Sequence, residues 1–280
     1  MYINKLKVGD IILVSGFRPC VGTSTAAAII AADLAYRGEK TLLITMDADI
    51  PYDAVSLLSD DVMDNHLDEM VVLENSNGLT DENIEDYVTA VTDTLFYCRG
   101  SSRIGRMTKD PVSTLNHIMD IACYQFRYVV LDMGYENVTD PKQFYARGNV
   151  VVNILSQDLK SQKQAKDYYK MDQFGADMYV VPVIADFHEA LPADDGFYEK
   201  ELKMDCVFAM NNDPEVYAAC AKRDIANFVY KNLKMKKGGG GGLFGGRKKG
   251  DGEGTCNPTV QGYDLICEKL CKVLFHEEVV

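Results

Sequence analysis

Short, wholly apolar runs alternate along this chain with longer stretches in which apolar residues recur every three or four positions. The runs read as buried strands and the spaced stretches as helices with one face in a core. Residues 10–14 (D-I-I-L-V) open the series, and an alanine-rich helix follows over 24–36, with Gly38 placed to stop it. Further strands are expected at 40–46, 94–97, 128–134, 150–155, 178–184 and 206–210. Helices are expected at 51–64, 81–91, 111–124 and 159–174 and from 214 to about 220, while V-V-L at 71–73 reads as one more short strand. Residues 99–110 are polar and contain glycine, which predicts a surface loop. Strand and helix taking turns at this spacing predict an α/β fold, a mainly parallel, doubly wound sheet with helices on both faces.

At 280 residues the chain can hold one large domain of this kind, expected over 1–235. Residues 236–254 (K-K-G-G-G-G-G-L-F-G-G-R-K-K-G-D-G-E-G) are of low complexity and read as a flexible segment. Residues 255–280 form the last unit. There Tyr263, Ile266, Cys267, Leu270, Cys271 and Leu274 share one helical face, which predicts a helix packed back on the domain. The formal net charge of −13 disfavours broad, sequence-independent binding to nucleic acid, which works by neutralising phosphates. Eight cysteines without a repeated CxxC, no signal-peptide pattern and no apolar stretch of spanning length predict a reduced, cytoplasmic protein. Membrane contact is expected to be peripheral at most, through the basic glycine-rich run. The four histidines stand in unrelated contexts and form no catalytic or metal set.

Candidate chemistry concentrates in residues 11–28, where a β-branched apolar strand meets a small-residue turn and then a helix opening on Ser24 and Thr25. Helix-opening NH groups lack intrahelical partners and carry partial positive charge, so this arrangement invites a phosphate. Thr23 stands where the phosphate-loop pattern G-x-x-x-x-G-K-[ST] has lysine. Two more strands end in carboxylates, with Asp47 and Asp49 after the 40–46 strand and Asp132 followed by Gly134 in the 128–134 strand. Ligands bind at that edge of an open parallel sheet. Each residue also has a plainer role open to it: Ser24 and Thr25 as helix caps, the aspartates as polar strand ends, Arg18 as a solvated charge.

Arg18 to Thr25 with the Ala-rich helix behind it, L-L-I-T-M-D at 42–47 and Y-V-V-L-D-M-G at 128–134 together resemble the ParA/MinD family of deviant Walker P-loop ATPases. The family loop K-G-G-V-G-K-T-T lays Arg18 on its first lysine, Val21 and Gly22 on identical residues, Thr23 on the second lysine, and Ser24 and Thr25 on the hydroxyls. Tyr263 to Leu274 also resembles the family's closing helix, which makes 236–254 an insertion before it. The resemblance implies ATP and Mg²⁺ as cofactors and a homodimer that sandwiches the nucleotide. Arg18 would reach the partner's nucleotide, Ser24 would bind Mg²⁺, and Thr25 would contact the α-phosphate. Asp47 would orient the attacking water, Asp132 would hold the metal's outer shell, and Gly134 would bring a backbone NH near the γ-phosphate. Pro19, Cys20, Thr23 and Thr45 depart from the family pattern, and such degenerate loops look most like its TadZ/CpaE branch. That branch implies a nucleotide-dependent dimerising switch that positions a pilus-like or other secretion assembly at the cell envelope, with hydrolysis weak or absent. The alternative is a non-catalytic scaffold of the same fold.

Overall fold

The computed structural model describes residues 9–46, 54–58, 66–100, 107–135, 148–170, 178–191, 195–203, 207–238 and 256–274. Eight strands form one sheet in the order β3-β4-β2-β5-β1-β6-β7-β8. They are β1 (Asp10–Gly16), β2 (Thr41–Thr45), β3 (Thr89–Ala90), β4 (Leu95–Cys98), β5 (Tyr128–Tyr135), β6 (Val150–Leu155), β7 (Tyr179–Phe187) and β8 (Phe208–Asn211). Every pairing is parallel except that of the two-residue edge strand β3 with β4. The eight described helices are α1 (Thr23–Tyr36), α2 (His66–Asn75), α3 (Pro111–Ala122), α4 (Leu159–Lys170), α5 (Asp195–Leu202), α6 (Pro214–Ala221), α7 (Ile225–Gly238) and α8 (Pro258–Leu274).

The sheet separates two apolar layers, as the alternation along β1 requires. Ile12 and Val14 face a core shared with α1, α6, α7 and α8, whereas Ile11 and Leu13 face one shared with α2, α3, α4 and α5. The central strand β1 lies between β5 and β6, so its C-terminal end opens onto the middle of the ligand-binding edge. Alanines 26, 27, 28, 31 and 32 of α1 are fully buried, and their small side chains let the helix lie close to the sheet.

Helix α8 packs its Tyr263, Ile266, Cys267 and Leu270 face into the layer it shares with α1. A polar clasp also joins the two helices. Arg37 Nε donates to Asp33 Oδ1 at 2.7 Å, and the same guanidinium pairs with the carboxylate of Asp264. Asp33 is fully buried, and burial, only partly offset by Arg37, raises its carboxyl to about 6.

Three sequence expectations change. The V-V-L run at 71–73 lies inside α2, because Leu67, Met70 and Val71 turn to the core at helical spacing while Val72 is 57% exposed. Residues 81–91 form a single 3-10 turn (Ile84–Tyr87) followed by β3 rather than a helix. Of the helix expected at 51–64, the described part is a 3-10 turn, Val55–Leu57. Helices α5 and α7 had no counterpart in the sequence reading. The glycine-rich run lies almost wholly outside the described residues, which resume at Cys256.

Candidate functional site

The turn after β1 is fixed by what its neighbours leave room for. A Cβ on Gly16 would lie 2.3 Å from Thr23 Oγ1 and 2.7 Å from Val21 Cγ2, so glycine alone lets the chain fold back over the strand end. Phe17 is buried in the layer on the other side of the sheet and stays out of the turn. Cys20 (φ 59°) and Gly22 (φ 91°) are both left-handed and flank Val21. For a cysteine this backbone costs about 1–2 kcal/mol, a strain the loop retains.

Helix α1 starts at Thr23 with Gly22 as its N-cap, and no side chain caps it. The capping role open to Ser24 and Thr25 is therefore not used. The first intrahelical bond runs from Ala26 NH to the Gly22 carbonyl at 2.9 Å, which leaves the NH groups of residues 23–25 without helical acceptors. The first turn holds no acidic residue, so nothing in the helix itself neutralises its positive end.

In front of this helix end is a cavity of about 490 Å³. The turn and α1 form its near wall. The far wall comes from the ends of β7 and β8 and from α6 and α8, through residues that include Asp186, Met210, Tyr217, Cys220 and Tyr263. Thr25 Oγ1 lies 4.0 Å from Cys220 Sγ across the inner end. Asp213 caps α6, accepting from the Glu215 NH at 2.8 Å through Oδ1. Its other oxygen accepts from Asn257 Nδ2 at 2.8 Å and Thr259 Oγ1 at 3.2 Å, which ties α6 to α8. Asp186, itself left-handed (φ 51°), accepts from the Tyr217 hydroxyl at 3.0 Å. Burial first, and then the Asp186 charge, push both the Tyr217 and Tyr263 hydroxyls upward, so each stays a protonated donor.

Arg18, Val21, Gly22, Thr23, Ser24, Thr25 and Gly134 all line this cavity. Asp132 does not. It is 3% exposed inside β5, where its Oδ1 accepts from the Gly134 NH at 3.1 Å. That NH is thus engaged within its own strand. Asp47 and Asp49 lie outside the described residues. Thr45 is buried and accepts from the Gly100 NH at 2.9 Å, an architectural use of its hydroxyl.

Arg18 is the one cationic side chain among the described residues of the cavity wall, and it is turned sideways. Its guanidinium donates to Asp158 Oδ2 at 2.6 Å. Asp158 also caps α4, accepting from the Lys160 and Ser161 NH groups at 3.0 and 3.1 Å. Burial acts to raise its carboxyl, but hydrogen bonds from Ser156 and the Ser161 NH, joined by Arg18, outweigh it and hold the group near 2. The sequence reading missed Asp158, Asp186 and Tyr217. A strand-end aspartate at V-I-A-D (183–186) is the same signal that singled out Asp47 and Asp132, and S-Q-D-L (156–159) is a helix-start signal.

Among the described residues there is no cluster of three side chains able to hold a metal ion by itself. Mg²⁺ carried on phosphates needs only one or two protein ligands and keeps several waters, a demand that the half-exposed Ser24 hydroxyl beside the uncapped helix end fits.

No protein-family model and no curated protein matches the sequence. Solved structures do match in fold. The cell division ATPase MinD of Pyrococcus furiosus superposes with a TM-score of 0.69 at 14% identity, over 95% of this chain and 99% of that one. A ParA family ATPase from Chlorobium tepidum gives 0.68 at 12% identity, over 92% and 98%. The septum site-determining protein MinD of Pyrococcus horikoshii, complexed with Mg-ADP, gives 0.67 at 12% identity, over 97% and 100%. The architecture is therefore that of the ParA/MinD type of P-loop NTPase.

Proposed function

We propose that the chain binds a nucleoside triphosphate with Mg²⁺ in this cavity and works as a nucleotide-dependent dimerising switch whose hydrolysis is weak or absent. The observation that carries this is the conjunction at the cavity's near end: a twice left-handed turn, an uncapped helix with no acidic first turn, and open space in front of both. A helix end arranged this way binds anions without a lysine. The Mg-ADP of the Pyrococcus horikoshii relative supports the ligand class. Ser24 would give the metal its protein ligand, and Asp132 would hold one of its waters if the strand-end hydrogen bond to Gly134 opens. Mg²⁺ would neutralise phosphate charge, and this chain's own residues would do the rest: the turn would orient the phosphates and α6 and α8 would enclose the remainder.

Weak hydrolysis follows from Thr23. A charge stabiliser missing from the transferring phosphoryl group costs roughly 10³–10⁵ in rate by analogy with supplied arginines. Arg18 would complete a partner's site across the dimer after leaving Asp158. Both side chains are more than a third exposed, so that exchange costs about 1 kcal/mol or less. The assembly served would be an envelope or secretion machine of the pilus kind, an expectation that rests on the degenerate loop's resemblance to the TadZ/CpaE branch.

A scaffold that has lost the nucleotide is the second reading. The observation favouring it is the cavity's charge: one paired arginine against the carboxylates of Asp186 and Asp213. Calorimetric titration with Mg-ATP and Mg-GTP separates the two. No binding of either at millimolar concentration leaves the scaffold alone; binding followed by dimer formation on a sizing column supports the switch.

A further inference from the structure

Arg18 lines the cavity, but its charge is engaged outside it, because its partner Asp158 is not part of the wall. The two halves of this ion pair are held very differently. Oδ1 of Asp158 accepts the Lys160 and Ser161 NH groups at 3.0 and 3.1 Å, and Oδ2 accepts from the Ser156 hydroxyl as well as from the arginine. Ser161 is fully buried, and its own hydroxyl accepts from the Ser156 NH at 3.1 Å. The carboxylate is thereby fixed between the end of β6 and the start of α4. Arg18 instead stands on the turn after β1, outside any helix or strand, with Pro19 and the left-handed Cys20 next in the chain. Its guanidinium can leave without orphaning the carboxylate, which keeps three hydrogen bonds when it goes.

We infer that Asp158 is an autoinhibitory latch: it holds Arg18 within its own chain and so opposes the transfer of that side chain to a partner's nucleotide. This rests on the proposed dimerising switch and names its regulation. A guanidinium engaged with a carboxylate of its own chain is not free for a phosphate of another, so dimer formation has to open the latch on both protomers. The acceptor able to open it is an outer phosphate, which carries more negative charge than a carboxylate and offers three oxygens to the guanidinium. Water reaches both side chains, 42% and 35% exposed, which keeps the pair weak enough to exchange.

The test is sedimentation velocity of the full chain with whichever of Mg-ATP and Mg-GTP binds, on wild type, Asp158→Asn, Arg18→Ala and the double variant. Asparagine caps helices as well as aspartate does; its Oδ1 keeps the Lys160 and Ser161 NH groups, while its Nδ2 turns a donor toward the guanidinium. The latch is removed and α4 keeps its cap, which thermal unfolding checks. Opening an exposed ion pair on both protomers corresponds to a dimer dissociation constant about 2- to 30-fold lower in Asp158→Asn than in wild type. The double variant should dimerise no better than Arg18→Ala, because the latch acts only through the arginine. An unchanged or higher constant for Asp158→Asn, in a chain whose wild type dimerises, overturns the latch and leaves the switch standing. An equal gain in the Arg18→Ala background also overturns it and assigns the effect to α4. So does tighter nucleotide binding by Asp158→Asn in calorimetry at concentrations too low for dimers, since Arg18 would then serve the phosphates of its own chain. If neither nucleotide binds, or wild type and Asp158→Asn both stay monomeric with one bound, the switch itself is wrong and the latch falls with it.

Discussion

Replacing Thr23 with lysine probes the phosphate turn at its weakest point, and the structure sets opposite signs for its two effects. Thr23 is 7% exposed and lies over Gly16, where even a methyl group would collide with its hydroxyl. The stem of a lysine can occupy the same place, and the rest of the side chain then has the cavity of about 490 Å³ to enter. Without ligand the variant carries a cation at the positive end of α1, an unfavourable interaction of about 0.3–1 kcal/mol, and it loses the threonine hydroxyl's packing over Gly16. The empty protein should melt slightly lower than wild type. With triphosphate bound the ammonium meets phosphate oxygens in a charge-assisted hydrogen bond of about 1.5–3 kcal/mol, which corresponds to roughly 10–100-fold in Kd. Titration calorimetry with the Mg-nucleotide and thermal unfolding of the empty protein read the two effects separately. A lower melting point with unchanged affinity would refute the reasoning, because the side chain at 23 would then face away from the phosphates.

Gly22→Ala keeps its space, since the new Cβ would sit 3.7 Å from that of Ala185, but it forces alanine to φ 91°. It should destabilise the fold by about 1–2 kcal/mol, measured by urea unfolding, and weaken nucleotide binding further by tilting the helix-end donors. Arg18→Ala removes a half-exposed ion pair and should change stability by less than about 1 kcal/mol, yet abolish nucleotide-dependent dimerisation on a sizing column. A dimer that survives it would remove Arg18 from the interface chemistry. Asp33, with its folded carboxyl raised from 3.8 to about 6, binds more protons in the native than in the unfolded chain between those values. Its contribution to stability therefore grows as pH falls from 7 to 4, by a sum on the order of 3 kcal/mol. Urea unfolding of wild type and Asp33→Asn across that range should show wild type gaining on the variant at low pH; parallel curves would mean that Arg37 offsets the burial of this carboxyl in full.

The parallel core of the fold was readable because β1, β5 and β6 are buried on both faces and carry near-continuous apolar runs, broken only by Asp132 and Asn153 in β5 and β6. The elements that were misread are those whose pattern is short or diluted. V-V-L at 71–73 is too brief to distinguish a strand from a helix turn, and only the distant packing of Leu67, Met70 and Val71 decides it. Helix α7 hides behind its lysines and asparagines, since Ile225, Ala226, Val229 and Leu233 make a narrow apolar stripe. At the site, local sequence placed the turn and the residues of α1 that line the cavity. It gave no sign that Arg18 would meet Asp158, 140 positions away, or that Asp186 and Tyr217 would converge across 31. Such pairs depend on strand order, and strand order is not written locally.

The same division would let the turn after β1 hold a phosphate without a lysine, as the proposed function requires. The backbone half of the cradle is set by Gly16, Cys20 and Gly22, and its donors belong to neutral peptide groups that need no counter-ion when the cavity is empty. The side-chain half is different, because a lysine held at the positive end of α1 is costly until a phosphate arrives. With threonine at position 23, the helix end can stand open without ligand and without a charge to neutralise. On that reading the site would lack attraction concentrated on the outer phosphates, where bond breaking would take place. Affinity would then rest on backbone donors, on the Mg²⁺ that the ligand would bring, and on contacts with the rest of the cavity wall. Such a site can hold a nucleotide as a structural signal while doing little to cleave it.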